Sequence, residues 1–79
     1  MQAYILINTT AGALWKVAEA LLKIEGVKKA HAVTGAYDVI AYVEFDTMET
    51  LGKIINNCHA IEGVTRTQTA IAIPEHTVE

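Results

Sequence analysis

The chain contains one cysteine, one proline and one phenylalanine among its 79 residues, and it has no long hydrophobic run. Cys58 has no partner for a disulfide within the chain and no metal-ligand spacing around it. A membrane-spanning helix needs about 18 or more consecutive apolar residues, and the sequence shows neither such a run nor a signal-peptide pattern. These absences predict a soluble cytoplasmic protein without a membrane partner.

Positive charge is scarce in this sequence. Six Lys and Arg stand against nine Asp and Glu, which gives a formal net charge of −3. Proteins that bind nucleic acid usually carry a basic stripe or arm, and none is present here. We therefore expect no direct nucleic-acid partner.

Motifs for metal binding and catalysis are also missing. The histidines His31, His59 and His76 show neither i, i+4 spacing nor an HExxH pattern, so we expect no metal site. There is no glycine-rich phosphate loop and no nucleophile elbow, so the chain is predicted to be no enzyme and to need no cofactor. One alternative stays open: a cofactor-free, monooxygenase-like enzyme of the small dimeric α/β-barrel type, with His31 or Tyr37 as its acid–base group.

Apolar residues, by contrast, are abundant, at 52 % of the sequence. So short a chain forms one domain, 1–79, with a core over 3–73 and a loose tail over 74–79. This composition provides more apolar side-chain surface than one small monomer can bury in its own core. We therefore expect a second apolar face that another copy of the chain covers.

Hydrophobic patterning predicts four strands, over 3–8, 27–34, 38–45 and 64–73, and two helices between them. The first strand is apolar without alternation, which indicates a strand covered on both sides. The buried face of the first helix is marked by Leu14, Val17, Ala18, Leu21 and Leu22, and that of the second by Leu51, Ile54, Ile55 and Cys58.

Local signals predict where the helices begin and end. The pair Thr9-Thr10 would cap the first helix, and Gly26 would end it in a left-handed conformation. Asp46 followed by Glu49 resembles a capping box at the start of the second helix. Trp15 is predicted to be exposed on the first helix, either at an interface or at the rim of the core.

A short repeat fixes the order of the elements. Ile24-Glu25-Gly26-Val27 recurs as Ile61-Glu62-Gly63-Val64, and each copy joins a helix to a strand. Two β-α-β units in succession predict an α+β, ferredoxin-like βαββαβ sandwich, in which a four-stranded antiparallel sheet carries two helices on one face. Strands one and three would be central, and their other face would pack on a second subunit to form a dimeric α/β barrel.

Two patterns could serve ligand binding. In Val33-Thr34-Gly35-Ala36-Tyr37-Asp38, Gly35 lets the chain reverse and Asp38 can bond nearby N–H groups. This stretch is either a plain turn or a polar rim that holds a small charged ligand. The alternating Thr65, Thr67 and Thr69 share one strand face, either through β propensity or as a row of hydroxyls facing a ligand.

Together these features resemble the ligand-binding RAM domain of the Lrp/AsnC (leucine-responsive, asparagine-responsive) family of transcription regulators. The resemblance extends over 3–73 and includes three segments: Glu25-Gly26-Val27, the Gly-x-Tyr-Asp turn at Gly35–Asp38, and the threonine-containing last strand. Members of the family carry an N-terminal helix-turn-helix domain, whereas this sequence begins at the first strand. We therefore expect a stand-alone RAM module and do not carry DNA binding over to it.

The resemblance implies a non-enzymatic module that binds an amino acid effector between subunits. Gly35, Tyr37 and Asp38 would line the pocket, and Thr67 and Thr69 would add hydroxyls. Backbone N–H groups near Gly35 would take the carboxylate, and Asp38 would pair with the ammonium group. Homodimers would assemble into a ring and modulate Lrp/AsnC regulators or metabolism, acting alone or with full-length regulators. The alternative to sensing is a purely structural oligomerisation module.

Overall fold

The protein folds into a single four-stranded sheet with two helices. The structure is a computed structural model, and it describes residues 1–74. In chain order the elements are β1 (Gln2–Thr9), α1 (Leu14–Leu21), β2 (Val27–Ala32), β3 (Val39–Glu44), α2 (Met48–His59) and β4 (Val64–Ile71). The strands lie in the order β2-β3-β1-β4, and every neighbouring pair is antiparallel. The predicted α+β, ferredoxin-like βαββαβ fold is confirmed, with β1 and β3 at the centre.

The core lies between the central strands and the helices. On β1, Ile5 and Ile7 are fully buried, and they pair across the sheet with Ala41 and Val39 of β3, which are also fully buried. The apolar stripes of both helices complete the same cluster. Burying these side chains stabilises the fold because it removes large aliphatic groups from water.

The side chains that alternate with the core residues form what we call the open face. It consists of Tyr4 and Leu6 of β1 with Ile40 and Tyr42 of β3, and Tyr4 is 45 % exposed. The rings of Tyr4 and Tyr42 lie 5.4 Å apart between centroids. Within one chain, the continuous hydrophobicity of β1 therefore corresponds to one buried face and one open face. Cover on both sides stays a prediction that requires a second chain.

The helix boundaries differ from the sequence prediction. Helix α1 ends at Leu21, and Leu22 is 53 % exposed, so its predicted place on the buried face is wrong. The periodic pattern runs one residue beyond the helix itself. Gly26 has a positive φ of 99°, but it lies in the turn before β2 and does not end the helix. Trp15 is 69 % exposed, as predicted, and so does not belong to the core.

Both predicted caps are also wrong in detail. The residue before α1 is Ala13, which gives no side-chain cap, and Thr10 contributes only its carbonyl, which accepts from the Ala13 N–H at 3.1 Å. Helix α2 is capped by Thr47 rather than Asp46, because the Thr47 hydroxyl accepts the Thr50 N–H at 3.1 Å. The cap is thus a hydroxyl one position later than predicted, and it satisfies the N–H of Thr50 rather than that of Glu49.

The repeated glycines explain the Ile-Glu-Gly-Val echo. A Cβ added at Gly26 would lie 2.7 Å from Cδ1 of Ile54 in α2, and one at Gly63 would lie 2.9 Å from Cβ of Ala13, next to α1. Each glycine thus follows one helix and packs closely against the other. Their φ angles of 99° and 104° add a second reason for glycine, since L side chains rarely adopt such values. Each copy of the repeat therefore brings the start of a strand close to the helix that does not precede it.

Strands β2, β3 and β4 are shorter than predicted, whereas β1 is one residue longer at each end. Strand β2 ends at Ala32 and β4 at Ile71, before Pro74. The predicted loose tail over 74–79 lies outside the described residues except for Pro74. Over residues 1–74, no helix is long and apolar enough to cross a membrane.

Candidate functional site

The turn between β2 and β3 is anchored to the sheet at both ends. The Val33 N–H donates to the Asp38 carbonyl at 2.9 Å, and the Asp38 N–H donates to the Ile7 carbonyl at the same distance. Between these anchors Gly35 has a φ of 111°, and a Cβ there would meet no heavy atom within 4 Å. Gly35 is thus required by the backbone conformation rather than by close packing.

Asp38 holds the end of β1. Its Oδ2 accepts the Thr9 backbone N–H at 2.8 Å and lies 3.4 Å from the Thr9 hydroxyl. The side chain is half-buried. Oδ1 makes no hydrogen bond within residues 1–74.

Two further side chains tie the turn to the sheet. Asn8 donates through Nδ2 to the Ala36 carbonyl at 2.9 Å. The Tyr37 hydroxyl donates to Oε1 of Gln68 on β4. Because β1 lies between β3 and β4, this bond spans β1 and links the turn to the far strand. We call Gly35–Asp38 together with Asn8 and Gln68 the turn rim.

The two threonines predicted for the site lie elsewhere. Thr67 and Thr69 pair with Ile7 and Ile5, whose side chains point to the helices. Directly opposite residues share a face, so both threonines also face the helix layer. Thr67 Oγ1 lies 2.5 Å from Nε2 of His59 in α2, which agrees with this orientation. Within one protomer the structure groups Gly35, Tyr37 and Asp38 but does not bring the threonines to them.

Two hollows of the surface lie away from the turn. One of about 740 Å³ lies at the end of the sheet near Gly26 and Asp46, and another of about 640 Å³ lies over the open face between Tyr42 and His31. Neither hollow is enclosed, and neither includes any residue of 33–38. A ligand at the turn rim would therefore need a second subunit to cover it.

Two titratable groups, Cys58 and Tyr42, have raised pKa values. Burial raises the pKa of the Cys58 thiol to about 11, so the group stays protonated near neutral pH. Desolvation first, and Glu44 second, raise the pKa of Tyr42. No group of three or more His, Cys, Asp or Glu that could hold a metal lies in the part of the chain that the structure describes.

A family model described as the Lrp/AsnC ligand binding domain matches residues 2–78. The chain belongs to the Lrp/AsnC family. The resemblance drawn from the Gly-x-Tyr-Asp turn and the threonine-containing strand is confirmed at the level of the family.

Two curated relatives show the settings in which such domains occur. The chain is 32 % identical over 74 residues to the HTH-type transcriptional regulator FL11 of Pyrococcus furiosus, covering 94 % of this chain and 49 % of FL11. The chain thus spans about half the length of that regulator. A homocitrate synthase of Sulfurisphaera tokodaii is 35 % identical over 57 residues, which are 12 % of the enzyme.

Solved structures of related proteins agree with the Lrp/AsnC fold. A hypothetical protein, PHS023 of Pyrococcus horikoshii, is 41 % identical with a TM-score of 0.85, and the match covers 95 % of this chain and 92 % of that one. The transcriptional regulator NMB0573 of Neisseria meningitidis, solved as a complex with L-Met, is 22 % identical with a TM-score of 0.82, over 94 % of this chain and 50 % of that one. The second likeness shows the fold alone.

Sequence reasoning missed the polar residues that support the turn in this Lrp/AsnC domain. Asn8 and Gln68 lie on strands that flank one another, far from the turn in sequence. Their polarity in otherwise apolar or threonine-rich strands was the available signal. Without the register of β1 and β4, nothing in the sequence assigns them to the turn.

Proposed function

We propose that this Lrp/AsnC domain is a non-enzymatic sensor that binds an amino acid at the turn rim, between subunits. The observation that carries the proposal is the fixed but accessible turn. Asn8, Thr9 and Gln68 hold its backbone and side chains, while Gly35 and Ala36 stay exposed. A site held in place before binding loses little conformational freedom when the ligand arrives.

The rim offers groups for both charges of an amino acid. Oδ1 of Asp38 is an acceptor for an ammonium group. The backbone N–H groups of Gly35 and Ala36 donate to no group within residues 1–74 and are donors for a carboxylate. L-Met in the NMB0573 complex is an amino acid, which supports this ligand class. Thr67 and Thr69 face the helices, so a role for their hydroxyls requires a contact from another subunit.

The open face supports assembly. Tyr4, Leu6, Ile40 and Tyr42 form an apolar strip in the middle of a sheet that nothing in residues 1–74 covers. A second copy packing on this strip would complete the dimeric α/β barrel expected from the sequence. Dimers would then join into a ring, and the turn rim would lie where subunits meet. Ligand binding would stabilise that assembly by mass action.

Partners follow from the relatives. FL11 is a transcriptional regulator of about twice the length, so co-assembly with full-length regulators through shared open faces is a route to control of transcription. The match to a short part of a homocitrate synthase supports a link between domains of this kind and metabolism. The cytoplasmic location expected from the sequence stays a prediction.

The enzyme alternative has less support. His31 is exposed on the edge strand β2, and the Tyr37 hydroxyl is already bonded to Gln68. Neither hollow described above is an enclosed cavity of the kind that excludes water during catalysis. A purely structural oligomerisation module remains the second candidate, because the open face alone would explain it.

Calorimetry with each of the twenty amino acids tests the proposal. We expect at least one to bind with millimolar or tighter affinity and to raise the thermal midpoint or change the subunit count in sedimentation velocity. Absence of binding by all twenty, together with an unchanged oligomer, would contradict sensing and leave the structural module.

A further inference from the structure

The only arginine of the chain lies beside the turn rim. In the pairing of β1 with β4, Arg66 lies opposite Asn8. Residues directly opposite one another point to the same face, with Cβ atoms about 4.5–5.5 Å apart. Asn8 in turn donates to the carbonyl of Ala36 in the turn. The guanidinium group is therefore carried on the face from which the turn rim is reached.

Gln68 adds a second donor on the same face. It follows Arg66 by two residues on β4, so the two side chains lie on one side of the strand about 6.6 Å apart along it. Oε1 of Gln68 accepts the Tyr37 hydroxyl, which leaves both amide hydrogens for another acceptor. Arg66 and Gln68 thus carry N–H donors on the same face of the sheet.

The positive charge of Arg66 is not neutralised by the described residues. Over residues 1–74 the one ion pair joins Lys16 to Glu62 at 3.4 Å. Asp38 directs Oδ2 to Thr9 instead. An exposed guanidinium with no carboxylate partner among residues 1–74 suits a planar anion, since its N–H groups match the two oxygens of a carboxylate.

We propose that Arg66 and Gln68 bind the α-carboxylate of the amino acid ligand. This inference rests on the proposed function and deepens it, because it adds side-chain donors of β4 to the backbone donors of the turn for the same carboxylate. Tyr37 is then a positioning residue, whose hydroxyl holds the Gln68 amide with its N–H groups toward the ligand. The ammonium group of the ligand lies toward Oδ1 of Asp38.

The test compares an amino acid with its uncharged carboxamide. The probe is whichever of the twenty L-amino acids binds the wild-type protein most tightly, measured by calorimetry beside its α-carboxamide. We expect Arg66→Gln to weaken binding of the acid about tenfold or more, while the weak binding of the amide stays unchanged. Arg66→Lys should fall between, because it keeps the charge and loses the planar fork. Lys28→Gln, which removes the same charge from the opposite edge strand, is the matched control.

The outcomes separate the carboxylate assignment from the sensing function on which it rests. Equal binding of the acid by wild type and Arg66→Gln overturns the carboxylate assignment and leaves the sensing function standing. If Lys28→Gln rather than Arg66→Gln weakens binding of the acid, the ligand lies at the other edge of the sheet. That result also overturns the carboxylate assignment. If none of the twenty amino acids binds the wild-type protein, both the carboxylate assignment and the sensing function are overturned. The thermal midpoint without ligand checks that Arg66→Gln is folded, and Arg66→Lys serves the test if it is not.

Discussion

Asp38 has a structural task that can be measured apart from any ligand. Replacing it with alanine leaves the half-buried Thr9 N–H without its acceptor at 2.8 Å. Hydrogen bonds to charged groups contribute about 1.5–3 kcal/mol, and partial burial places this one in the lower part of that range. We therefore expect Asp38→Ala to lower the free energy of unfolding by about 1.5–2 kcal/mol. For a domain of this size that corresponds to a fall of roughly 6–16 °C in the thermal midpoint.

Urea denaturation at a fixed protein concentration measures the effect, with the midpoint by calorimetry as a second readout. Asp46→Ala is the matched control: Asp46 is exposed, and Thr47 rather than Asp46 caps α2, so the loss should stay within about 0.5 kcal/mol. Asp38→Asn keeps an acceptor without the charge and should lose about half as much as Asp38→Ala. If Asp38→Ala were no less stable than Asp46→Ala, the anchoring role of Asp38 would be refuted.

Three other predictions follow from the fold. Gly35→Ala should destabilise by about 1–2 kcal/mol because φ is 111°, whereas Gly52→Ala in α2, where a Cβ meets nothing within 4 Å, should stabilise by about 0.5–1 kcal/mol in urea denaturation. Because burial raises the pKa of the Cys58 thiol to about 11, the thiol ionises at a lower pH in the unfolded chain than in the folded protein. The free energy of unfolding should therefore fall between about pH 9 and 11, and this fall should be smaller in Cys58→Ala. Tyr42→Lys should weaken the dimer roughly hundredfold in sedimentation equilibrium, while Trp15→Lys should not.

Most of the fold was predictable because its signals are local and repeated. Each copy of Ile-Glu-Gly-Val joins the end of a helix to the start of a strand, so the repeat indicates the order of the elements without any tertiary information. The close contacts that its glycines make with the helices appear only in the structure. The end of α1 was not predictable from periodicity, because Leu22 continues the apolar pattern although the helix has ended.

The candidate site was predictable only in part. Gly35, Tyr37 and Asp38 are neighbours in sequence, so the turn itself places them together. Thr67 and Gln68 depend on the register between β1 and β4, where a shift of one residue exchanges the faces. That register includes an irregularity between Asn8 and Thr9, which no local pattern announces. The alternation of threonines along β4 predicts that they share one face of the strand. It does not predict that this face is the one covered by the helices.

The proposed function requires an amino acid to bind at the turn rim between subunits. A crystal structure of the protein with its tightest-binding amino acid tests this most directly. We predict the ligand within hydrogen-bonding distance of Arg66 or Gln68 on one side and Asp38 on the other, with a second subunit covering it. A ligand in the hollow near Gly26, or one enclosed within a single subunit, would contradict the claim.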